Sequence, residues 1–355
     1  MRRSEAETAK SSQARGEVEG SEGIMKKRLF YLIIDQLAGH WAENVRVKDD
    51  FPPANLAGYH RLGLIPNFSG LIKKGLWVKR PWNRGICTTP HGMKYLAGGF
   101  YNKGAYWGSF EDTGAFYPET PDEEGFFEFC KKHYPGRFKA SVFTTDYWVA
   151  KGYFYVPQDM HALPACYPDE QMWYNCALPY IRRNPDWNLL HLYFPLNDTI
   201  SYCPSYQALP FYPTLKHISK HAYLLFLDIL LGEVIGFLKE KGYWKETYFV
   251  LASDHGYHLG CSVAHDLGVK EKNWCCDHPA PHDCQVWDFE RNKATGFSSD
   301  CARRTAFILS GGALEDKYAG KTVEEAEIID VIPTIAELLD VPYRCEGRSI
   351  LSRVV

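Results

Sequence analysis

Val250-Leu-Ala-Ser-Asp-His-Gly-Tyr-His-Leu-Gly260 is the most informative stretch of the chain, because an apolar run ends here in Asp254-His255-Gly256. In open α/β sheets, ligands gather where the strands end, and an adjacent Asp and His at such an end can both bind one divalent cation. A polar turn in which Gly256 adopts a positive φ accounts for the same residues. The neighbouring segments have to decide between a metal site and a simple turn.

Two further apolar runs of strand length end close to an acid. Residues 29–34 are followed directly by Asp35, and residues 189–194 are followed four positions later by Asp198. A continuous apolar run suits a central strand that is buried on both faces. Together with Asp254, these acids are predicted to lie at one edge of a sheet.

Helical patterns alternate with the strand patterns along the chain. Short helices are predicted at residues 66–75 and 124–132, a long one closed by Gly242 at residues 217–241, and a final one at residues 328–339. Further strands are predicted at residues 138–144, 247–252 and 305–309. This alternation predicts an α/β fold with a doubly wound, mostly parallel central sheet and helices on both faces. Proline and aromatic residues interrupt the pattern around residues 149–186, which indicates an irregular insertion or cap.

Composition limits the classes of function. The net charge of −3 and the scattered Lys and Arg residues give no basic field for nucleic acid. No uninterrupted apolar stretch of about 18 residues was found, and the run before Asp35 is too short for a signal peptide, so a cytoplasmic protein without a membrane contact is expected. Residues 1–24 are charged and lack an apolar period, which predicts a disordered leader, with Met25 as an alternative start.

The densest cluster of soft metal ligands outside the strand ends lies in one short segment. The chain has 11 cysteines, and the segment holds five thiol or imidazole groups: Cys275, Cys276, His278, His282 and Cys284. These are enough to bind a structural zinc ion, although their spacing is not that of a standard zinc finger. A loop with free thiols is the alternative interpretation.

The order of these features resembles that of the alkaline phosphatase superfamily, which includes sulfatases, nucleotide pyrophosphatase/phosphodiesterases and phosphoethanolamine or lipoteichoic-acid transferases. The resemblance covers about residues 27–350. Its most specific parts are residues 247–256, residues 329–339 and Glu346-Gly-Arg-Ser-Ile-Leu351. It implies that residues 25–355 form a single catalytic domain.

The resemblance also implies a nucleophile and a metal site. In the family, a nucleophile stands two residues before a proline that is followed eight residues later by a glycine, and Thr88, Pro90 and Gly98 have this spacing. A divalent ion (Zn, Mn or Ca) would lower the pKa of the Thr88 hydroxyl. The implied metal ligands are Asp35, Thr88, Asp254 and His255. Without the resemblance, Thr88 would be interpreted as a hydroxyl that caps the next helix.

Further candidates have both functional and ordinary interpretations. His265 and Lys270 resemble a sulfatase segment in which His and Lys stand five residues apart, so Lys270 could neutralise a transferring oxyanion; a surface lysine is the alternative. Four other residues are possible substrate or second-site groups: His91, Asp198, Tyr202 and His258.

Several positions depart from the family pattern. Two-metal members carry a His four residues after the second acid, where this chain has Tyr202, and another His shortly before the late strand, where it has none. Sulfatases need a Cys or Ser at position 88, which becomes formylglycine, and an Arg at position 92; this chain has Thr88 and Gly92, with Cys87 one residue early. These departures favour a single-metal site that uses a threonine.

The sequence therefore predicts a metal-dependent hydrolase or transferase that acts on a small-molecule phosphate ester through a covalent Thr88 intermediate. Sulfate-ester hydrolysis or sulfuryl transfer is one alternative, since the tetrahedral oxyanion is similar. A degenerate family member that only binds a ligand or partner is another.

Overall fold

The computed structural model describes residues 27–41, 52–101, 124–136, 138–144, 160–162, 168–200, 215–257, 285–288, 291, 293–298 and 300–355. The strands in these ranges are β1 (Arg28–Ile34), β2 (Leu76–Trp82), β3 (Ala140–Thr144), β4 (Met160–Ala162), β5 (Leu189–Phe194), β6 (Thr247–Ala252), β7 (Gln285–Asp288), β8 (Lys293–Ser298), β9 (Phe307–Ser310) and β10 (Lys321–Glu327).

The α-helices are α1 (Leu56–Arg61), α2 (Pro66–Lys74), α3 (Thr89–Gly98), α4 (Phe126–His133), α5 (Asp169–Gln171), α6 (Leu178–Arg183), α7 (Leu196–Thr199), α8 (Leu215–Glu240), α9 (Asp300–Arg303) and α10 (Val331–Leu338). A π-helical turn, Met172–Ala177, joins α5 to α6. Short 3₁₀ turns lie at Tyr243–Glu246, Asp316–Tyr318, Ile328–Asp330 and Leu351–Arg353.

One large sheet organises the described part of the chain. Its eight strands follow the order β10-β2-β9-β6-β1-β5-β3-β4, and β7 pairs separately with β8. Seven of the eight strands run in one direction, whereas β9 is antiparallel to both β2 and β6. The predicted mostly parallel α/β sheet is confirmed. Because β1 lies between β6 and β5, the carboxyl ends of all three meet at the same edge.

Both faces of the sheet are covered, as a doubly wound fold requires. In β1, Tyr31 and its face contact one apolar cluster, which includes residues of α3, α4 and α10. Phe30 and the opposite face contact a second cluster, which includes residues of α1, α2 and α8. Side chains alternate across a strand, so the uninterrupted apolar run of residues 29–34 supplies both layers.

Helix α8 is the long helix that the sequence predicted, and its buried residues recur at a helical spacing, as in Leu224, Leu227, Leu231 and Leu238. Residues 220–240 are long and apolar enough to cross a membrane, contrary to the expectation from the sequence, but half of that stretch is buried inside the fold.

Asp228 is a charged residue within the apolar part of α8, and it has hydrogen-bond partners on α2. Its carboxylate accepts hydrogen bonds from the backbone N–H groups of Asn67 and Phe68, at 3.2 and 2.8 Å. It thereby satisfies amides at the start of α2 that have no partner within that helix.

The two C-terminal segments that carry the family resemblance fit together around Asp330. Its Oδ1 accepts from the backbone N–H of Arg348 at 2.8 Å, and its Oδ2 contacts Nη1 of Arg353 at 2.8 Å. A Cβ at Gly347 would lie 2.0 Å from the carbonyl oxygen of Ile329, so only glycine allows this approach. The N–H of Gly347 donates to the carbonyl of Gly99 at 3.0 Å, which anchors the C-terminal end of α3.

The irregular insertion predicted around residues 149–186 is only partly described. Within it, β4 pairs with β3 at the edge of the sheet, and Trp173 and Ile181 of the following helical segment are buried in the second apolar cluster. The leader, residues 149–159 and residues 163–167 lie outside the described ranges.

Candidate active site

Four buried polar residues follow the central strands at the shared carboxyl edge. Asp35 comes directly after β1, Asp198 lies in α7 after β5, and Asp254 and His255 follow β6. Each is at most 2% exposed. Charged side chains are rarely buried to this degree unless they are paired or bind a metal.

Asp35, Asp254 and His255 lie close enough to bind one cation. Each offers one ligand atom, and these atoms lie within 4.8 Å of one another. Nε2 of His255 is 3.3 Å from Oδ1 of Asp35 and 3.6 Å from Oδ2 of Asp254. Both of those carboxylate oxygens are buried and accept no hydrogen bond. Buried polar atoms in native proteins nearly always have a partner, so two unpartnered oxygens beside one imidazole fit a divalent cation.

The tautomer of His255 suits it to this role. Its Nδ1 lies 2.9 Å from the carbonyl oxygen of Gly256, which can only accept, so Nδ1 carries the proton. Nε2 is therefore unprotonated and can offer its lone pair to a cation, as a metal-binding imidazole requires. An imidazole ligand suits zinc better than calcium, which prefers oxygen ligands, and the two carboxylates also suit manganese.

The electrostatics of the cluster point the same way. Burial raises the pKa of Asp35 well above its usual range, and the neighbouring carboxylates of Asp254 and Asp198 raise it further. Burial also raises the pKa of Asp254. Carboxylates that crowd together in a dry site favour protonation. A divalent cation would remove the repulsion that makes their ionisation costly.

The hydroxyl that reaches the cluster belongs to Thr89, one residue after the predicted Thr88. Oγ1 of Thr89, the first residue of α3, lies 3.2 Å from Nε2 of His255 and 3.3 Å from Oδ2 of Asp35. Thr88 is the N-cap residue, and its Oγ1 instead lies 2.8 Å from Nδ1 of His91. Consecutive residues at a helix start point in different directions, so the spacing to Pro90 alone does not determine which hydroxyl enters the site.

Gly92 allows α3 to approach the cluster. A Cβ at this position would lie 2.3 Å from the carbonyl oxygen of Asp254, which is far inside van der Waals contact. Asn83 binds the same carbonyl through Nδ2 at 3.0 Å. The structure therefore gives a physical reason for the departure from the sulfatase pattern: no arginine side chain fits at position 92.

Three supporting residues were not found by reasoning from the sequence. The Tyr193 hydroxyl donates to Oδ2 of Asp35, and Nδ2 of Asn197 donates to its main-chain carbonyl at 2.7 Å. The backbone N–H of Gln36 donates to Oδ1 of Asp254 at 3.2 Å, and its side-chain amide contacts Asp198. For Gln36 and Asn197, the only signal in the sequence was a position next to a predicted acid, whereas Tyr193 lies within a predicted strand.

Gln36 also has an unusual backbone conformation, with a φ of 56°. Left-handed backbone costs a non-glycine residue about 1–3 kcal/mol, and such residues cluster at functional sites. The cost is offset here because Gln36 contacts both Asp254 and Asp198, the acids that follow the two strands flanking β1.

Other predicted residues have less direct roles or cannot be placed. His91 is buried, and its Nδ1 contacts Thr88. Cys87 is fully buried, and its thiol donates to the main-chain carbonyls of Asn83 and Gly85. The remaining candidates fall outside the described residues: Tyr202, His258, His265, Lys270 and the proposed zinc ligands Cys275, Cys276, His278, His282 and Cys284.

Comparisons with known proteins agree with this fold. The model of the sulfatase family matches residues 101–341. The multifunctional alkaline phosphatase superfamily protein PehA of Trinickia caryophylli is 31% identical over 128 residues, which are 35% of this chain and 19% of that protein. An extracellular sulfatase SULF-1 homolog of Drosophila melanogaster is 28% identical over 128 residues, 35% of this chain and 9% of that protein. The matched part of the chain thus spans a fifth or less of these relatives' length.

A solved structure extends the likeness over most of the chain. Murine ectonucleotide pyrophosphatase/phosphodiesterase 5 covers 93% of this chain and is itself covered completely, with a TM-score of 0.56 and 14% identity. An inactive variant of the same mouse protein, in which a threonine is replaced by alanine, is known in complex with AMP and matches with a TM-score of 0.55. At this level of identity, the likeness establishes the fold.

Proposed function

The chain belongs to the sulfatase family, within the alkaline phosphatase superfamily, and we propose that it is a metal-dependent hydrolase or transferase that acts on a phosphate ester through a covalent threonine intermediate. The observation that carries this proposal is the position of the Thr89 hydroxyl, 3.2 and 3.3 Å from the side chains of His255 and Asp35. A nucleophilic hydroxyl needs this kind of neighbourhood, because a neutral threonine attacks poorly.

Asp35, Asp254 and His255 would hold one divalent cation, which supplies Lewis-acid stabilisation of developing negative charge when it is bound. The two carboxylate oxygens of Asp35 have different roles. Oδ1 makes no hydrogen bond and can serve as a metal ligand, whereas Oδ2 accepts hydrogen bonds from the hydroxyl groups of Tyr193 and Thr89. Oδ2 is thus within reach of the Thr89 proton as the hydroxyl attacks.

The proposed reaction has two displacements at phosphorus. Thr89 Oγ1 forms a bond to phosphorus while the bond to the leaving alcohol breaks, and the alcohol leaves with a proton. Water or an acceptor alcohol then attacks the phosphothreonine and releases Thr89. The N-terminus of α3, where Thr89 is the first residue, presents backbone N–H groups that favour an anion at this position.

Phosphate is preferred over sulfate for three reasons. Neither Thr88 nor Thr89 can be converted to formylglycine, and Gly92 leaves no space for the arginine that the sulfatase pattern requires. The mouse relative that loses activity when a threonine is replaced and that binds AMP supports the use of a threonine and a phosphate ester. Hydrolysis or transfer of a sulfate ester is the alternative, because the Drosophila relative is named as a sulfatase homolog.

A substrate panel tests the proposal. Aryl phosphate monoesters, aryl phosphodiesters and aryl sulfates would be offered to the metal-free protein with added Zn²⁺, Mn²⁺ or Ca²⁺, and to an Asp254→Asn variant as a control. Metal-dependent release of the aryl alcohol from a phosphate ester is expected, with loss in the variant. Faster turnover of the sulfate would favour the alternative, and cation binding without turnover of any ester would indicate a member of the family that only binds ligands.

A further inference from the structure

Lys220 is a buried lysine behind the candidate active site. It lies on α8 and is 2% exposed, and its Nζ donates to the main-chain carbonyl of Asn197. Nζ also lies 5.0 Å from the centre of the Tyr257 ring, two residues after His255. Lysine is almost never buried to this degree without a compensating charge nearby, so its position requires an explanation.

The contacts of Lys220 lead directly to the acids of the site. The main-chain carbonyl of Asn197 accepts a hydrogen bond from the Lys220 amine. The side chain of Asn197 in turn donates from Nδ2 to the main-chain carbonyl of Asp35 at 2.7 Å. The next residue, Asp198, is also 2% exposed, and its carboxylate contacts the side-chain amide of Gln36, the residue that follows Asp35. The lysine therefore lies against α7, which carries one buried acid, Asp198, and supports another, Asp35.

A count of formal charges shows what the lysine contributes. Asp35, Asp198 and Asp254 carry three negative charges when ionised, and one divalent cation leaves one of them unbalanced. Net charge buried in a protein is costly, and a second cationic group removes it. Lys220 is a buried amine, and two groups that it contacts, Asn197 and Tyr257, lie one and two residues from Asp198 and His255 in the sequence.

We propose that Lys220 acts as the built-in second cation of the site. In this role, it balances Asp198, limits the site to one divalent ion and attracts the anionic substrate electrostatically. This inference rests on the proposed metal-dependent function. In this role, Lys220 acts through its positive charge and not by contact with the substrate, since its amine donates to the main-chain carbonyl of Asn197.

A purely structural role predicts different behaviour. If the amine only ties α7 to α8, a glutamine at position 220 can replace it, because an amide also donates to a carbonyl. If the charge matters, glutamine leaves the hydrogen bond possible but makes the site more negative. Divalent cations should then bind more tightly and anions more weakly. Structural disruption of the site by the substitution would not make the binding of either ion tighter.

The test is a pair of titrations on the full chain. Mn²⁺ is the metal probe, because carboxylate and imidazole sites bind it whereas thiolate clusters prefer zinc. Inorganic phosphate, added to the Mn²⁺-loaded protein, is the anion probe. For Lys220→Gln we expect about tenfold tighter Mn²⁺ binding or a second bound equivalent, and about tenfold weaker phosphate binding. Lys239→Gln removes the same charge about 28 Å further along α8 and should leave both affinities unchanged.

The outcomes separate the inference from the function on which it rests. Unchanged or jointly weakened binding of both probes to folded Lys220→Gln would overturn the role of the charge while leaving the proposed function intact. Lys220→Arg keeps the charge and should retain wild-type Mn²⁺ affinity and stoichiometry; a tenfold change in that variant would also overturn the role. Failure of the wild-type chain to bind Mn²⁺ would instead overturn the proposed function, and the inference with it.

Discussion

Oγ1 of Thr89 lies 3.2 Å from Nε2 of His255, although the two residues are 166 positions apart in the sequence. The contact joins the first turn of α3 to the loop after β6. It places a hydroxyl beside a cluster in which two buried carboxylate oxygens, Oδ1 of Asp35 and Oδ2 of Asp254, have no hydrogen-bond partner. The most direct predictions concern this hydroxyl and its neighbour.

Replacement of Thr89 by alanine is expected to reduce turnover of a phosphate ester by about a thousandfold or more, because it removes the attacking oxygen. Thr88→Ala should cost about tenfold or less, since the Thr88 hydroxyl contacts His91 instead of the cluster. Steady-state kinetics and mass spectrometry of the peptide that contains α3 measure the rate and locate the phosphoryl group. Thr89→Ser should keep part of the rate. If the phosphoryl group is found on Thr88 and the Thr89→Ala variant is active, the nucleophile is Thr88, as the family spacing indicates.

Removal of the metal is expected to lower stability as well as activity. A ligand at a hundred times its dissociation constant stabilises the folded state by about 2.7 kcal/mol. Thermal unfolding with added Mn²⁺, and again with chelator, should therefore show a clear difference for the wild-type chain. Asp254→Asn should reduce that difference, because one of the two carboxylates is gone. Equal melting temperatures with and without Mn²⁺ would contradict a metal site at Asp35, Asp254 and His255.

The sequence was sufficient to predict the acids because strand ends are easy to recognise. Uninterrupted apolar runs identified β1, β5 and β6, and parallel neighbours must end at one edge. Strands β2 and β10 have no such run: residues 79–82 and 324–327 are mostly polar or contain proline, and β10 lies at the edge of the sheet. The apolar pattern of β9 predicts that the strand is buried, but it does not predict whether the strand runs parallel or antiparallel to its neighbours.

The finer parts of the site depend on tertiary contacts that no local pattern records. The choice between Thr88 and Thr89 depends on the register of α3, which is set in part by the contact between Gly92 and Asp254. Tyr193 and Asn197 support Asp35 only because β5 lies next to β1. The zinc cluster at residues 275–284 and the cytoplasmic location stay predictions.

Asp169 predicts a pH dependence of stability that is independent of the metal. Its carboxyl is fully buried, where it accepts from the Tyr223 hydroxyl at 2.6 Å, and burial raises its pKa from 3.8 to about 8. A carboxyl with a raised pKa holds its proton longer in the folded state than in the unfolded state. Stability is therefore highest below the unfolded pKa and falls as the pH rises towards the folded pKa.

The measurement is the free energy of unfolding of the Mn²⁺-saturated protein between pH 4 and pH 8. The contribution of Asp169 should decline with rising pH by at most about 1.4 kcal/mol per pH unit. Asp169→Asn keeps the shape and an acceptor for Tyr223 but cannot ionise, so its profile should be flatter and its stability at pH 8 higher than that of the wild type. A variant that is less stable than the wild type at pH 8 would show that the ionised carboxylate is favourable at this position.

Gly92 tests how closely α3 must approach the cluster. In Gly92→Ala, the new Cβ would lie 2.3 Å from the carbonyl oxygen of Asp254, so either α3 or the loop after β6 must move. A forced shift of this kind costs about 1–3 kcal/mol, and here it should also weaken Mn²⁺ binding because Asp254 moves. Gly70→Ala is the matched control, since Gly70 lies within α2 and a Cβ there meets no atom within 4 Å. Alanine is the better helix former, so this control should gain about 0.5–1 kcal/mol and leave Mn²⁺ affinity unchanged. Equal unfolding free energies and equal Mn²⁺ affinities for the two variants would contradict the close packing of α3 on Asp254, and with it the physical reason given for the absence of an arginine at this position.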